Sequence, residues 1–405
     1  MKLLLLNASA NTGSTGRIAE EIGLLAQQSG YEVRFAYGRK AVNSKLSLIK
    51  IGNKWDMRLH GLKSRMWDAH GFGSKRATMA LIKELEVWKP DIVNIHNLHG
   101  YYINIELLFD YLKGVQVPVV WTFHDCWPFT GHCSHFERVG CDRWKTECYA
   151  CPNRKGYPAS LLVDRSTQNF RLKKEIFNGI DNLTIVAPSQ WLANHVANSF
   201  LSQYPVKLIH NGVDLNIFKP VDNSESIRNK YGLSDKSIVL GVANTWRKRK
   251  ALQDFIALSE ILDEDIQIVL VGMTAEQSKG LPPNIKAIAR TENQQELAAL
   301  YSAAAVFLNP TYVDNFPTTN IEALACGTPV ITYRTGGSPE AVDTETGVMI
   351  EKGDLEGLKK AINQIIYNGK NAYAKKCRSR AMTYYNKNDR FIDYIDLFNL
   401  LTIRR

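Results

Sequence analysis

The sequence predicts an α/β protein built from two doubly wound, Rossmann-like domains, each with a parallel sheet. Short apolar runs alternate with amphipathic helical stretches along the 405 residues, and this alternation starts again near residue 237. Ligands of such sheets bind outside the carboxyl ends of the strands. We therefore expect the two domains to face a central cleft that holds the site.

The predicted strands are the short apolar runs, five in each half of the chain. In the first half they are Leu3–Asn7, Val33–Tyr37, Ile92–His96, Val117–Phe123 and Thr184–Pro188. In the second half they are Ile238–Ala243, Ile266–Val271, Ile285–Ala289, Ala305–Asn309 and Pro329–Tyr333. The first domain is predicted over residues 1–209 and the second over 210–386. An amphipathic helix over 387–405 is expected to pack back on the first domain.

Composition and charge narrow the class of protein. The apolar and charged fractions, 45% and 22%, are ordinary for a globular chain and exclude a disordered, collagen-like or coiled-coil protein. The net charge of +10 would suit nucleic acid, a membrane surface or phosphorylated ligands. Most of the excess positive charge lies between Arg34 and Arg76. This stretch contains 11 basic residues and only two acidic ones, Asp56 and Asp68.

The apolar runs are too short for export or membrane insertion. The four leucines at positions 3–6 fall short of the roughly 7–15 apolar residues of a signal peptide. No stretch approaches the ~18 apolar residues of a transmembrane helix. We therefore expect a cytoplasmic protein with reduced cysteines.

Two carboxylates mark the segment Tyr312–Ile331. Asp314 lies on a predicted loop, and Glu322 lies eight positions later in a predicted helix that ends at Gly327. Such a pair can hold two separate sets of hydroxyls, and the amides at the helix start, near Thr318, suit a phosphate. Taken alone, the pair also describes a solvated acid and an ordinary helix.

This segment resembles the D/E-x7-E signature of retaining, nucleotide-sugar-dependent glycosyltransferases of the GT-B fold, family four. Further segments resemble that family in the same order, at 122–125, 187–191, 209–220 and 335–347. The resemblance covers nearly the whole chain. The runs His96–Tyr102 and His132–Pro152 make it most similar to bacterial exopolysaccharide and O-antigen enzymes of the colanic acid type.

The resemblance implies roles for the matching residues of the carboxylate segment. Glu322 would hold the ribose hydroxyls of the donor, and Asp314 would hold hydroxyls of the donor sugar. Phe316, Thr318 and Thr319 would present backbone amides to the sugar and diphosphate. Asp314 stands where the family often has Glu.

The cationic run Arg247–Lys250, after the first strand of the second domain, indicates an anion site. The resemblance implies that Lys250 binds the donor diphosphate. The position of the family's arginine falls on Asn244 or Thr245, so Arg249 or Arg247 is expected to substitute. A solvated charge run is the alternative.

Two residues of the first domain complete the expected site. His124 follows a predicted strand, and the resemblance implies that it positions the donor sugar. Gly16 belongs to Gly13–Gly16 at the start of the first helix, where small residues let the backbone approach an anion. Gly16 would lie near the acceptor. The implied chemistry is retaining transfer that requires neither metal nor cofactor.

Five of the seven cysteines fall between Cys126 and Cys151. Cys148-x-x-Cys151 has the spacing of metal ligands, and Cys133 and Cys141 could complete a structural, four-thiolate zinc site. The alternative ligands in the segment are His132 and His135. Disulfides and plain buried thiols are the other interpretations.

The predicted function is transfer of a hexose-type sugar from a UDP- or GDP-linked donor to a glycan acceptor, carried on a polyprenyl diphosphate. The product would be a bacterial capsule, O-antigen or exopolysaccharide. The basic, tryptophan-containing stretch 54–67 predicts contact with the inner face of the cytoplasmic membrane, through its anionic lipids. A solvated helix is the alternative.

Two rival functions are a different GT-B enzyme, such as a nucleotide-sugar epimerase or a phosphorylase, and a basic zinc-containing nucleic-acid-binding protein. The basic excess lies apart from the cysteines, and no recognition motif accompanies it. We therefore expect no nucleic-acid partner.

Overall fold

The computed structural model describes residues 1–222, 224–233 and 235–403. The chain folds as two compact units. The first comprises Met1–Ile209 together with the chain from Phe391 on, and the second comprises His210–Arg390. Each unit is a parallel sheet with helices, which confirms the predicted fold class.

The first unit contains a parallel sheet of seven strands. They are β1 (Lys2–Asn7), β2 (Glu32–Tyr37), β3 (Ser47–Lys50), β4 (Ile92–Ile95), β5 (Val119–Thr122), β6 (Leu183–Ala187) and β7 (Val206–Leu208). They lie in the order β3-β2-β1-β4-β5-β6-β7, so the order reverses between β1 and β4. The helices are α1 (Gly13–Gln28), α2 (Lys54–Trp67), α3 (Lys75–Trp88), α4 (Ile105–Val115), α5 (Ser166–Phe177) and α6 (Gln190–Ala197).

The second unit contains a parallel sheet of six strands. They are β8 (Ser237–Val242), β9 (Ile266–Val271), β10 (Ile285–Ile288), β11 (Val306–Asn309), β12 (Val330–Tyr333) and β13 (Gly347–Ile350). The order β10-β9-β8-β11-β12-β13 reverses between β8 and β11. The helices are α7 (Ser224–Tyr231), α8 (Leu252–Ile261), α9 (Gln294–Ala303), α10 (Thr318–Ala325), α11 (Leu355–Asn368) and α12 (Asn371–Tyr384).

The leucine run at the start of the chain shows why these sheets are buried on both faces. Leu4 and Leu6 pack into one hydrophobic core, and Leu3 and Leu5 pack into another on the opposite face of β1. Successive side chains of a strand point to opposite faces, so a continuous apolar run fits a strand covered by helices on both sides.

The last helix, α13 (Lys387–Ile403), is shared between the units. From Phe391 on, its apolar side chains join the core that contains Leu3 and Leu5. Its first turn stays with the second unit, because Lys387 Nζ lies 2.8 Å from Asp214 Oδ2. The boundary between the two units therefore lies at residue 391 of the chain and not at the predicted residue 387. Positions 404 and 405 of the predicted helix lie outside the described residues.

In the described part of the chain, no helix is both long enough and apolar enough to span a bilayer.

We expect Phe398→Ala to destabilise the first unit by about 3–5 kcal/mol, because this fully buried ring fills the core beneath α13. Urea unfolding followed by tryptophan fluorescence measures the change. Ile403→Ala is the control on the same helix, since that side chain is 82% exposed and should change stability by less than about 0.5 kcal/mol. Equal midpoints for the two variants would contradict this packing.

Candidate functional site

Most of the residues predicted to bind the sugar donor lie in the loops that follow β8 and β11. These are the two strands between which the strand order of the sheet reverses. The chain carries Arg249 and Lys250 shortly after β8 and Asp314 shortly after β11. Because parallel neighbours end at the same edge of a sheet, residues 64 positions apart in sequence meet there.

An ion pair joins the two loops. Lys250 Nζ lies 2.7 Å from Asp314 Oδ2, and the two side chains are only 12% and 19% exposed. Arg249 Nη1 approaches the same oxygen at 3.8 Å. The backbone reinforces the contact, since Tyr312 N donates to Arg249 O at 2.8 Å. Partial burial reduces screening by salt, so this pair holds its geometry better than a surface ion pair.

The rest of the cationic run stays at the surface. Arg247 and Asn244 are exposed residues of the loop after β8, and it is Arg249 and Lys250 that the structure brings to Asp314. Ala251 begins α8 with φ of 55°, in the left-handed region where Gly is the usual residue. The short turn Lys248–Lys250 ahead of it aims the last lysine at Asp314.

Glu322 is held by a residue that the sequence does not single out. The hydroxyl of Tyr301, on α9, donates to Glu322 Oε2 at 3.0 Å. Burial, and then the charge of Glu322, raises the pKa of Tyr301 well above its ordinary value, so this phenol remains a donor. The contact fixes the carboxylate of Glu322 within α10. No sequence motif marks Tyr301.

The start of α10 offers polar groups for an anion. Pro317 is the N-cap residue and contributes no capping hydrogen bond from its side chain. Thr318 and Thr319 follow as half-buried residues. The Thr319 hydroxyl oxygen is buried and has no hydrogen-bond partner within the described residues. Phe316 is buried and stacks on His210, with ring centroids 4.9 Å apart.

In the first unit, His124 is the end of a hydrogen-bonded chain of three side chains. The amide nitrogen of Asn94 donates to Val120 O, so its Oδ1 accepts from His96 Nε2 at 3.0 Å. A neutral His96 then accepts at Nδ1 from His124 Nε2, 2.9 Å away. His124 is left with Nδ1 as an acceptor.

Burial keeps both imidazoles of this chain neutral. The pKa of His96 lies well below its ordinary value because of burial and the neighbouring His124. Burial also lowers the pKa of His124 to about 4. At neutral pH the pair therefore carries no charge, and the tautomers assigned above persist.

A second histidine and carboxylate lie at the same edge of the first sheet. His99 Nε2 is 2.7 Å from Asp125 Oδ2, and Asp125 Oδ1 accepts from Trp127 N. Burial alone would raise the pKa of Asp125, but His99 and the Trp127 amide outweigh it and lower the pKa to about 2. The sequence motifs predict no role for His99 and Asp125. The spacing His96-x-x-His99 after β4 is the signal that could have found it.

Close packing explains the predicted glycine of α1. A Cβ on Gly16 would lie 2.7 Å from the carbonyl oxygen of Ser9. Gly13, at the start of the helix, has φ of 70° and open space around it. Gly16 is therefore required by the contact between α1 and the loop after β1, whatever ligand binds nearby.

The four predicted metal ligands come together in the first unit. Cys133, Cys141, Cys148 and Cys151 line one small cavity, and all seven cysteines are free thiols, so the disulfide interpretation is wrong. In the part of the chain that the structure describes, no three His, Cys, Asp or Glu side chains are already arranged to hold a metal ion.

Comparisons with known proteins agree with this architecture. A model described as Glycosyltransferase Family 4 matches residues 16–217, and one described as Glycosyl transferases group 1 matches residues 223–384. WcaC of Escherichia coli (strain K12), whose name assigns it to colanic acid biosynthesis as a glycosyl transferase, is 25% identical over 423 residues. That match covers 99% of this chain and 100% of WcaC.

Two solved structures share the fold over nearly their full length. Sucrose-phosphate synthase from Thermosynechococcus elongatus has a TM-score of 0.71 at 17% identity, with 100% of both chains covered. Alr3699/HepE from Anabaena, in complex with UDP, has a TM-score of 0.72 at 15% identity, with 98% of this chain and 100% of that chain covered. At such identities the likeness establishes the fold alone.

We expect the neutral pair His96 and His124 to make the first unit less stable as the pH falls. Their pKa values are lower in the folded than in the unfolded chain. Their contribution to the free energy of unfolding is therefore complete above pH ~6.5 and is lost as the pH falls towards 4.

Histidine NMR on labelled protein tests this directly. The His124 imidazole, assigned with His124→Asn, should not titrate between pH 8 and 5.5. The same substitution should make the urea midpoint depend less on pH in that range. A His124 titration centred near pH 6.5 would contradict the buried chain.

Proposed function

Since the chain belongs to the GT-B glycosyltransferases of family four, and is a polysaccharide-biosynthesis enzyme of the colanic acid type, we propose that it transfers a hexose-type sugar from a nucleotide-diphosphate sugar, UDP- or GDP-linked, with retention of configuration. The acceptor in this proposal is a glycan carried on a polyprenyl diphosphate. The observation that carries the donor assignment is the Lys250–Asp314 ion pair at the reversal of strand order.

The pair offers the two kinds of contact that a sugar diphosphate needs. Lys250, with Arg249 beside it, supplies positive charge for the diphosphate, and Asp314 accepts hydrogen bonds from sugar hydroxyls. The amides at the start of α10 add donors with the favourable end of the helix dipole. These groups are in place before the donor arrives, so little reorganisation accompanies the reaction.

Glu322 is assigned to the ribose. A carboxylate can accept from both vicinal hydroxyls of a ribose, and Tyr301 fixes the direction of this one through a single oxygen. Asn244, Arg247, Phe316, Thr318 and Thr319 are the further donor contacts in the proposal. In the first unit, neutral His124 positions the donor sugar and Gly16 lies by the acceptor.

The reaction follows from these contacts. The bond between the anomeric carbon and the diphosphate oxygen loosens, and the sugar gains oxocarbenium character. Lys250, Arg249 and the helix amides stabilise the negative charge that grows on the departing diphosphate. The acceptor hydroxyl attacks the same face, and its proton passes to the leaving phosphate oxygen. The scheme includes no metal ion.

The exposed face of α2 supports a membrane-borne acceptor. This helix buries His60, Gly61 and Ser64 and turns its large apolar side chains outwards, which is the reverse of a helix that covers its own domain. The exposed apolar residues are Trp55 (68%), Leu59 (64%), Leu62 (54%) and Trp67 (52%).

Cations and a neighbouring loop extend this face. Lys54, Arg58, Lys63 and Arg65 are exposed on the same helix. Leu161 N donates to Arg65 O at 2.7 Å, which places the exposed Leu161 and Leu162 beside α2. Apolar side chains among cations fit the interface of an anionic bilayer.

We expect Lys250→Ala and Glu322→Gln each to lower kcat/KM for sugar transfer by roughly 10²–10³-fold, because each removes a contact to the donor. Lys248→Ala is the matched control, an exposed cation of the same run that should leave transfer unchanged. The assay follows both the released nucleoside diphosphate and the glycosylated acceptor, so an epimerase or a phosphorylase would be recognised by its products. Wild-type transfer by either site variant would overturn the assignment.

We expect the triple substitution Trp55→Ser, Leu59→Ser, Leu62→Ser to weaken binding to anionic liposomes at least tenfold, because the apolar contacts are lost while the fold is untouched. Co-sedimentation with phosphatidylglycerol vesicles measures it. Tyr367→Ser is the control, since that side chain is 91% exposed on the second unit. Failure of the wild type to bind anionic vesicles would refute the membrane assignment and leave the donor site untouched.

A further inference from the structure

The segment between β5 and α5 contains almost no regular secondary structure. Residues 123–165 contain three 3-10 turns but neither a strand nor an α-helix, and every one of them is described by the structure. Irregular segments of this length inside a compact domain are uncommon. The four cysteines that share the small cavity all belong to this segment.

The cavity suits a single small occupant. Its lining is nearly all apolar atoms and sulfur-bearing side chains, and it has room for roughly one water-sized particle. Three separate parts of the segment meet around it, through Cys133, Cys141 and the pair Cys148 and Cys151. Four thiols around a space of that size are the ligand set that zinc favours at structural sites.

His132 supplies an independent sign that something is bound there. Its Nδ1 lies 2.6 Å from Asp68 Oδ1, and both side chains are only 1% exposed. Its Nε2 is buried and has no hydrogen-bond partner in the described part of the chain, although His132 lines the cysteine cavity. A buried polar atom without a partner is costly, and a ligand bound in the cavity would relieve that cost.

The surroundings favour thiolates in the cavity. Gly131 N donates to Cys148 Sγ at 3.2 Å, as backbone amides do to metal-bound sulfur. The Lys173 ammonium is fully buried and donates to Thr130 O at 3.0 Å, and Thr130 also lines the cavity. A buried positive charge beside the cavity would offset part of the negative charge of four thiolates.

We propose that Cys133, Cys141, Cys148 and Cys151 bind one structural Zn²⁺ in this cavity. Because the side chains are not yet arranged as ligands, binding must turn the thiols inwards, by rotation between staggered χ1 positions. The four thiols lose their protons to solvent as the Zn–S bonds form, and no oxidation takes place. The metal would tie together the loops of residues 131–151.

Metal analysis of the full-length protein, purified without affinity to immobilised metal, tests the proposal. The wild type should contain one zinc per chain, and Cys148→Ser and Cys151→Ser should lose it. Cys126→Ala and Cys377→Ala remove buried thiols that do not line the cavity and should keep it. Cobalt exchanged into the wild type should give the strong near-ultraviolet absorption of thiolate ligation.

Zinc-free wild-type protein from zinc-supplemented cells would overturn the proposal. So would a disulfide among these cysteines, seen as a loss of two hydrogens by mass spectrometry, or full zinc in both Cys148→Ser and Cys151→Ser. None of these measurements depends on sugar transfer. Their results therefore test the zinc site separately from the proposed function.

Discussion

The reversal of strand order in each sheet is the constraint on which the candidate site depends. Where the order reverses, the loops after two adjacent strands leave on opposite faces and open a crevice at the carboxyl edge. In the second unit this happens between β8 and β11, and the crevice receives Lys250 and Asp314 from opposite sides. In the first unit the reversal lies between β1 and β4, and β4 and its neighbour β5 carry His96 and His124 to the same edge.

Burial then fixes the charge and direction of the groups at these edges. The Lys250–Asp314 pair is partly buried, so its geometry is set before a ligand binds. Tyr301 remains protonated and orients Glu322, while His96 and His124 remain neutral and have defined tautomers. In the proposed reaction, the charged groups of the second unit would already be in place when a sugar diphosphate binds, and such an arrangement lowers the barrier to losing a charged leaving group.

Local sequence patterns predicted most of the fold but only part of the site. The strands they missed, β3, β7 and β13, are edge strands of only three or four residues, and β3 and β7 are interrupted or flanked by polar side chains, so none contains a long apolar run. The resemblance to family four identified Asp314, Glu322 and Lys250, whereas Tyr301 and the link between His96 and His124 depend on partners more than 20 positions away. The sequence predicts a ligand-site role for Gly16, and its close packing against Ser9 by itself requires glycine at this position.

The central claim, that the edge between β8 and β11 binds a nucleoside diphosphate, is tested most directly by thermal unfolding with UDP, GDP, ADP and their sugar conjugates. If this edge binds a nucleoside diphosphate, UDP or GDP and its sugar conjugate should raise the melting temperature, with a stabilisation of about 2.7 kcal/mol at 100 times the dissociation constant. Lys250→Ala should abolish most of that rise. No rise with any nucleotide at millimolar concentration, or an equal rise in Lys250→Ala, would contradict it.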